Sequence, residues 1–351
     1  MKTNFKVLIG VLLISTGCLK DGGSLVSDDV TLSEQISSKE SVKVVNTLIG
    51  DPKDVNTSTT GGVCLMGGGK DVDSAFKWMI SKSGGGDFVV IRFDNSTGYN
   101  SYIYKMGGVN SVETVTIANR ADANNSLNVD KIKLAEALFI AGGDQANYVN
   151  FWKNTLVEDA INDLVSNGVP IGGTSAGCAI LGSSYFSALN GTVTSDQAMA
   201  NPYNSLITLG HDDFITIPYL QNTITDQHYT QRGREGRLVT FMARMRTDEN
   251  KNPFGVAVDE QTAVCIDENG IAKVYGINNA FFLNGATSGP EVCTNGQPLT
   301  WNSNMQAVKV YRITGSKTGN GFFNLTDFNY STALGGILMY YNVSNGIFSL
   351  N

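Results

Sequence analysis

Three short apolar runs, each stopped by glycines, constrain this chain more than anything else in it. Gly62-Val-Cys-Leu-Met66 runs into Gly67-Gly-Gly69, Ala137-Leu-Phe-Ile-Ala141 into Gly142-Gly143, and Val169-Pro-Ile171 into Gly172-Gly173. Runs of this length without polar alternation read as strands buried on both faces, the mark of a parallel sheet covered by helices. Phe88-Val-Val-Ile-Arg92 and Val112-Glu-Thr-Val-Thr-Ile117 supply further strands. Helix-like segments lie between them at residues 74–81, 129–136 and 150–167, the last with Trp152, Leu156, Ala160 and Leu164 on one face. The pattern predicts an α/β fold of three layers, a mostly parallel sheet flanked by helices. After about residue 255 it changes to short β-type runs such as Val256-Ala-Val258, Ala272-Lys-Val274 and residues 307–311 and 336–341. These read as an antiparallel C-terminal β extension, richest over residues 271–351, packed on the same body.

The first residues read as an export signal. Lys2 and Lys6 are followed by an apolar run over residues 7–14, too short to span a bilayer as a helix. Ser15, Thr16 and Gly17 then precede Cys18, an arrangement that looks like a bacterial lipoprotein signal with Cys18 as the lipidated residue. The usual pattern has Leu where Ser15 stands, so plain secretion is the alternative. Residues 18–43 are polar and aperiodic and read as a tether, which leaves 44–351 as one folded domain. The expectation is a chain exported to the bacterial cell envelope, attached to the membrane through Cys18, or secreted.

Composition narrows the function. A net charge of −7 argues against nucleic acid as a partner, which wants a basic footprint. Beyond Cys18 the cysteines are Cys64, Cys178, Cys265 and Cys293, far apart and without a CxxC pair, so a zinc site is not expected. Cys64, Cys178 and Cys265 sit in apolar runs as small hydrophobes, and no disulfide framework is expected.

Gly173-Thr-Ser-Ala-Gly177 is a G-x-S-x-G element with strand before it and helix after it. Glycine on both sides permits the sharp turn that presents a serine hydroxyl at a strand end, and the helix start favours a developing oxyanion. Ser175 is therefore a candidate nucleophile; the plain alternative is a serine that caps the helix. The chain has two histidines to serve it. His228 follows the strand-like Asn222-Thr-Ile-Thr225, at the sheet edge expected for Ser175, whereas His211 lies in a polar turn and reads as a solvated loop residue. After His228, Arg232, Arg234 and Arg237 crowd a helix start, where cations are unfavourable unless they meet carboxylates. They either buttress acidic side chains near His228, bind a substrate carboxylate, or form a solvated basic face. Gly142-Gly-Asp-Gln145 ends another strand; its backbone is a candidate oxyanion donor beside Ala176 N–H, with Gln145 placed to hold substrate. Cys178 as a thiol nucleophile is a further alternative, disfavoured because it lies one helical turn past the serine.

Three segments together resemble the cyanophycinase and peptidase E family of serine peptidases. They are Ile140-Ala-Gly-Gly-Asp-Gln145, Gly172-Gly-Thr-Ser-Ala-Gly177 and Asp226-Gln-His-Tyr-Thr-Gln-Arg-Gly-Arg-Glu-Gly-Arg-Leu238, the last closer to the cyanophycinase branch. The likeness extends over about residues 61–314 and includes Val256-Ala-Val-Asp-Glu-Gln-Thr-Ala263. It implies a fold like the class I glutamine amidotransferases, no metal or other cofactor, and a homodimer. It makes Ser175 the nucleophile, His228 the general base, and Gly143 and Ala176 the oxyanion donors. Gln145, Asp226, Gln227, Arg232, Arg234 and Arg237 would line the substrate site. A carboxylate is expected about eighteen to twenty residues after the serine, where Asp196 is the candidate; the alternative is that Gln197 holds the place and leaves no acid. The implied substrate is a peptide: cyanophycinases release β-aspartyl-arginine dipeptides from the polymer cyanophycin, and peptidase E enzymes cut α-aspartyl dipeptides. A surface-anchored binding protein with a degenerate site is the competing reading.

Overall fold

The structure, a computed structural model, describes residues 47–351. The export signal over residues 1–17, Cys18 and the tether over residues 18–43 lie outside the described residues.

In chain order the first half contains β1 (Leu48–Gly50), β2 (Gly62–Met66), α1 (Asp73–Lys82), β3 (Phe88–Arg92), α2 (Gly98–Tyr104) and β4 (Ser111–Thr116). There follow α3 (Arg120–Ala123), α4 (Ser126–Lys133), β5 (Ala137–Ile140), α5 (Gln145–Trp152), α6 (Leu156–Ser166), β6 (Ile171–Thr174) and α7 (Ala176–Ala179). The chain then passes through β7 (Ser184–Phe186), α8 (Ser195–Ala200), β8 (Leu209–His211), β9 (Thr223–Gln227), α9 (Glu235–Glu249) and β10 (Phe254–Val258). The remaining strands are β11 (Thr262–Asp267), β12 (Ile271–Gly276), β13 (Asn279–Asn284), β14 (Val308–Thr314), β15 (Asn320–Asn324), β16 (Gly336–Ser344) and β17 (Ile347–Leu350).

Two sheets result. The first has the order β1-β4-β3-β5-β6-β2-β11-β12-β15, and its centre from β4 to β2 is parallel. Two of the glycine-stopped runs are the middle strands β2 and β5, whose burial on both faces explains their unbroken apolarity; the third only leads into β6, which carries Gly172 and Gly173 within the strand. Along β5, Leu138 and Ile140 join one core while Ala137 and Phe139 join the other, as the two-residue period of a strand requires. The second sheet has the order β17-β16-β14-β13-β10-β9-β7-β8. One of its faces, with Val256, Val258 and Phe282, shares a core with Val63, Leu65 and Ile171 of the first sheet. The opposite face, with Ala257, Phe281 and Leu283, packs on Leu238, Phe241 and Met242 of α9.

This is the expected α/β class with a parallel centre, but the C-terminal β part is more than an edge extension. Its strands divide: β11, β12 and β15 continue the first sheet, while β10, β13, β14, β16 and β17 build the second. β10 is parallel to β9 on one side and antiparallel to β13 on the other, so the change of pattern at residue 255 is no change to purely antiparallel pairing. The single helix expected over residues 150–167 is two helices. Asn154 has φ of 56° and separates α5 from α6, and Glu158 in the first turn of α6 accepts from Asn154 N–H. Leu156 consequently faces solvent, and the buried stripe of α6 is Val157, Ala160, Ile161 and Leu164. Among the described residues no helix is long and apolar enough to cross a membrane.

Candidate active site

Ser175 stands where β6 ends and α7 begins, with φ of 51° and ψ of −118°. A non-glycine residue held there stores about 1–3 kcal/mol of strain, sustained only because the surroundings leave no alternative. The surroundings are close-packed backbone. A Cβ on Gly173 would lie 2.6 Å from Gly177 C, and one on Gly177 would lie 2.2 Å from Ile140 O. Ser175 N–H donates to Met66 C=O at 3.1 Å, which ties the turn to the end of β2.

His228 follows β9 directly, also at positive φ (46°), and its N–H donates to Gly67 C=O at 2.8 Å. The sequence places it on the edge of the same sheet as Ser175; the structure places it on the second sheet, brought to Ser175 by this bond to the loop after β2. The imidazole lies over Gly68, where a Cβ would meet Cε1 at 2.4 Å and Nε2 at 2.5 Å. Ser175 Oγ is 2.7 Å from His228 Nε2, and His228 Nδ1 is 2.6 Å from Glu260 Oε1. With Nδ1–H donated to Glu260, Nε2 is left as the acceptor facing the serine hydroxyl.

The carboxylate on His228 is thus Glu260, which corrects the expectation of Asp196. Asp196 lies in the first turn of α8, exposed to solvent, and Gln197 beside it closes a capping box with Thr194. Both residues serve the start of that helix. Glu260 reaches His228 because β10 runs parallel to β9 with Val258 opposite Gln227, so the residues just after each strand emerge side by side. Gln231 accepts from Glu260 N–H at 2.8 Å and Asn278 donates to Glu260 C=O at 2.8 Å, which fixes the backbone that carries the carboxylate.

Burial is the largest influence on His228 and lowers its pKa below the ordinary imidazole value. The hydrogen bond to Glu260 opposes that effect, and the charges of Arg232 and Arg234 add to it. A neutral imidazole at neutral pH is the state that can accept a proton from Ser175.

A cleft of about 440 Å³ lies beside the serine, lined by Gly143, Asp144, Gln145, the segment 191–195 and the three arginines. Ser175 and His228 are not among its lining residues; Gly142, next to the lining Gly143, adjoins the serine, a Cβ there lying 3.4 Å from Ser175 Cβ. Of the expected lining residues, Gln145, Arg232, Arg234 and Arg237 face the cleft, whereas Asp226 and Gln227 lie behind it, each 3% exposed. Arg237, 2% exposed, grips Asp226 with Nε–Oδ2 at 2.9 Å and Nη2–Oδ1 at 2.5 Å, its guanidinium against Phe186 and Phe241. Arg234 donates to Gln227 C=O at 2.6 Å and to the Gln227 side chain. Among the described residues the Arg232 guanidinium has no hydrogen-bonded or ionic partner, and the residue is exposed at the cleft wall. Gly143 N–H and Ala176 N–H likewise have no acceptor among the described residues.

His211 is not a free loop residue. It lies between Ser184 Oγ (3.0 Å from Nδ1) and Glu249 (2.7 Å from Nε2), a second serine–histidine–glutamate string. Ser184 is fully buried within β7, so no substrate reaches it, and the string holds β8 to the end of α9. Cys178 is also fully buried, and burial pushes its thiol well above the ordinary range, which excludes it as a ready nucleophile.

A strained serine at a strand-to-helix turn, bonded through one histidine to one glutamate, is the arrangement of a serine hydrolase. The family model for peptidase family S51 matches residues 96–274, just over half of the 351 residues and inclusive of Ser175, His228 and Glu260. The chain belongs to peptidase family S51. It is 25% identical over 203 residues to the cyanophycinase of Nostoc sp. (strain PCC 7120), a match covering 56% of this chain and 62% of that one. With the cyanophycinase of Thermosynechococcus vestitus it shares 27% over 175 residues, half of this chain and 49% of the relative. The chain therefore spans about three-fifths or less of the length of these relatives. Among solved structures, a peptidase from an acI-B1 Actinobacterium overlays with a TM-score of 0.46 at 16% identity, covering 64% of this chain and 91% of that one. A putative peptidase E protein from Listeria monocytogenes overlays with a TM-score of 0.41 at 18% identity, covering 63% and 100%. Neither overlay is close enough to bear on the argument.

Proposed function

We propose that this chain is an exported serine peptidase that hydrolyses aspartyl peptides, β-aspartyl-arginine polymer foremost, through a Ser175 acyl enzyme. The observation that carries the reading is the unbroken string from Ser175 Oγ through both nitrogens of His228 to Glu260. His228 Nε2 takes the Ser175 proton as Oγ attacks the peptide carbonyl, and Glu260 stabilises the imidazolium that forms. Gly143 N–H and Ala176 N–H receive the oxyanion. His228 then returns its proton to the leaving amine, and a water deprotonated by the same nitrogen frees the acyl group.

Specificity for an acidic residue rests on the cleft. Arg237 is neutralised by Asp226 and Arg234 is held by Gln227, so Arg232 is the cation left to meet a substrate carboxylate, with Gln145 across from it. The preference for the cyanophycin type comes from the likeness to cyanophycinases, and export from the signal over residues 1–17 that precedes Cys18. An exported enzyme of this kind acts on polymer released by other cells. Glu260 on His228 favours the enzyme over the alternative of a binding protein with a degenerate site.

The test is dipeptide release from cyanophycin by the chain lacking residues 1–18, beside its Ser175→Ala variant and a panel of α-aspartyl dipeptides. Release by the parent alone supports both substrate and nucleophile. Cleavage of the panel but not the polymer moves the substrate to the α-aspartyl class, and cleavage of neither overturns the reading.

A further inference from the structure

Cys64 on β2 and Cys265 on β11 stand directly opposite each other in an antiparallel ladder. Gly67 N–H donates to Thr262 C=O at 2.9 Å, which makes those two a hydrogen-bonded pair. Pairs alternate along such a ladder, so Met66–Ala263 is not hydrogen-bonded, Leu65–Val264 is, and Cys64–Cys265 is not. In a non-hydrogen-bonded pair the Cα atoms are about 4.5 Å apart and both side chains leave the same face, within the roughly 4.4–6.8 Å window of a disulfide. The two cysteines share the core under α1 with Met66, Phe76 and Phe139. Cys178 and Cys293 belong to different cores.

We propose that Cys64 and Cys265 form a disulfide when the chain folds under oxidising conditions. The two thiols give up two protons and two electrons, the Sγ–Sγ bond forms, and a disulfide oxidant such as oxidised glutathione is cleaved to two thiols. The bond closes during folding: in the finished structure both sulfurs are sealed from solvent, and burial together with the Cys64 thiol pushes Cys265 well above the ordinary range, which starves exchange of thiolate. In the structure Cys64, Cys178, Cys265 and Cys293 are all free, and the proposal concerns the oxidised form of the Cys64–Cys265 pair alone. The bond would tie β2, which runs into the glycine loop under His228, to β11, which follows Glu260, and so clamp the base of the site. It stands independently of the catalytic reading.

The full chain is refolded in a glutathione redox buffer, trapped with a thiol-alkylating reagent in denaturant, digested without reduction and mapped by mass spectrometry. A peptide linking Cys64 to Cys265, with Cys178 and Cys293 alkylated, is the expected result. The oxidised protein should also melt about 5 °C or more above the reduced protein, a gap that Cys64→Ala abolishes. Alkylated Cys64 and Cys265 in the folded product, or a bond from either to another cysteine, overturns the proposal; the map on the parent chain decides even where the variant does not fold.

Discussion

His228 is poised by opposing neighbours, and its titration should be visible in the rate. Protonated His228 cannot accept the Ser175 proton, so kcat/KM should fall on the acid side with a midpoint below about 6.5. Arg232→Gln removes a charge that lowers that midpoint, so the acid limb should move to higher pH, while KM for an acidic peptide rises as the free cation of the cleft is lost; a pH–rate series on both proteins checks this. The same depressed pKa couples to stability. Because the unfolded chain binds the proton at higher pH than the folded one, His228 takes stability away as pH falls below about 6.5. Asp226 acts at a distance from the chemistry. Asp226→Ala leaves Arg237 buried without its counter-charge, which should cost about 3–5 kcal/mol in urea unfolding, far more than the loss of an exposed pair.

The elements explain which of these residues could be read in advance. Ser175 announces itself because its turn requires glycine on both sides: a Cβ on Gly173 or Gly177 would come within 2.2–2.6 Å of backbone atoms. His228 is legible as the histidine that follows the strand-like Asn222-Thr-Ile-Thr225. Glu260 is not, because its approach depends on the parallel register of β9 with β10, and nothing local in Asp259-Glu260-Gln261 reveals which strand lies alongside. A usable signal was present: two strands that end in polar residues and pair in parallel deliver those residues to one place. The glycines after β2 were read as a strand stop, yet Gly68 forms the floor under the imidazole at φ of +91°. Gly68→Ala should displace His228 and lower kcat on the order of 10²-fold while far-UV circular dichroism stays unchanged.

At the scale of the molecule, the C-terminal third was legible as β structure but not as the second half of a shared core. Its role depends on Phe281 and Phe282 pointing to opposite faces of β13, one to α9 and the other to the first sheet, a partition that only the tertiary arrangement sets. The last hairpin belongs to that arrangement. Val343 exchanges both backbone hydrogen bonds with Trp301, and the Asn342 side chain accepts from Ala307 N–H at 3.0 Å. Deleting residues 336–351 should therefore broaden or abolish the cooperative melt followed by calorimetry, where an ornamental tail would leave it unchanged.

The pairing of Glu260 with His228 is tested by kcat/KM for peptide hydrolysis by Glu260→Gln beside Asp196→Asn. It predicts a fall of roughly 10³–10⁴-fold for the first, mostly in kcat, and less than about twofold for the second. Parental activity in Glu260→Gln, or a collapse in Asp196→Asn, would contradict it.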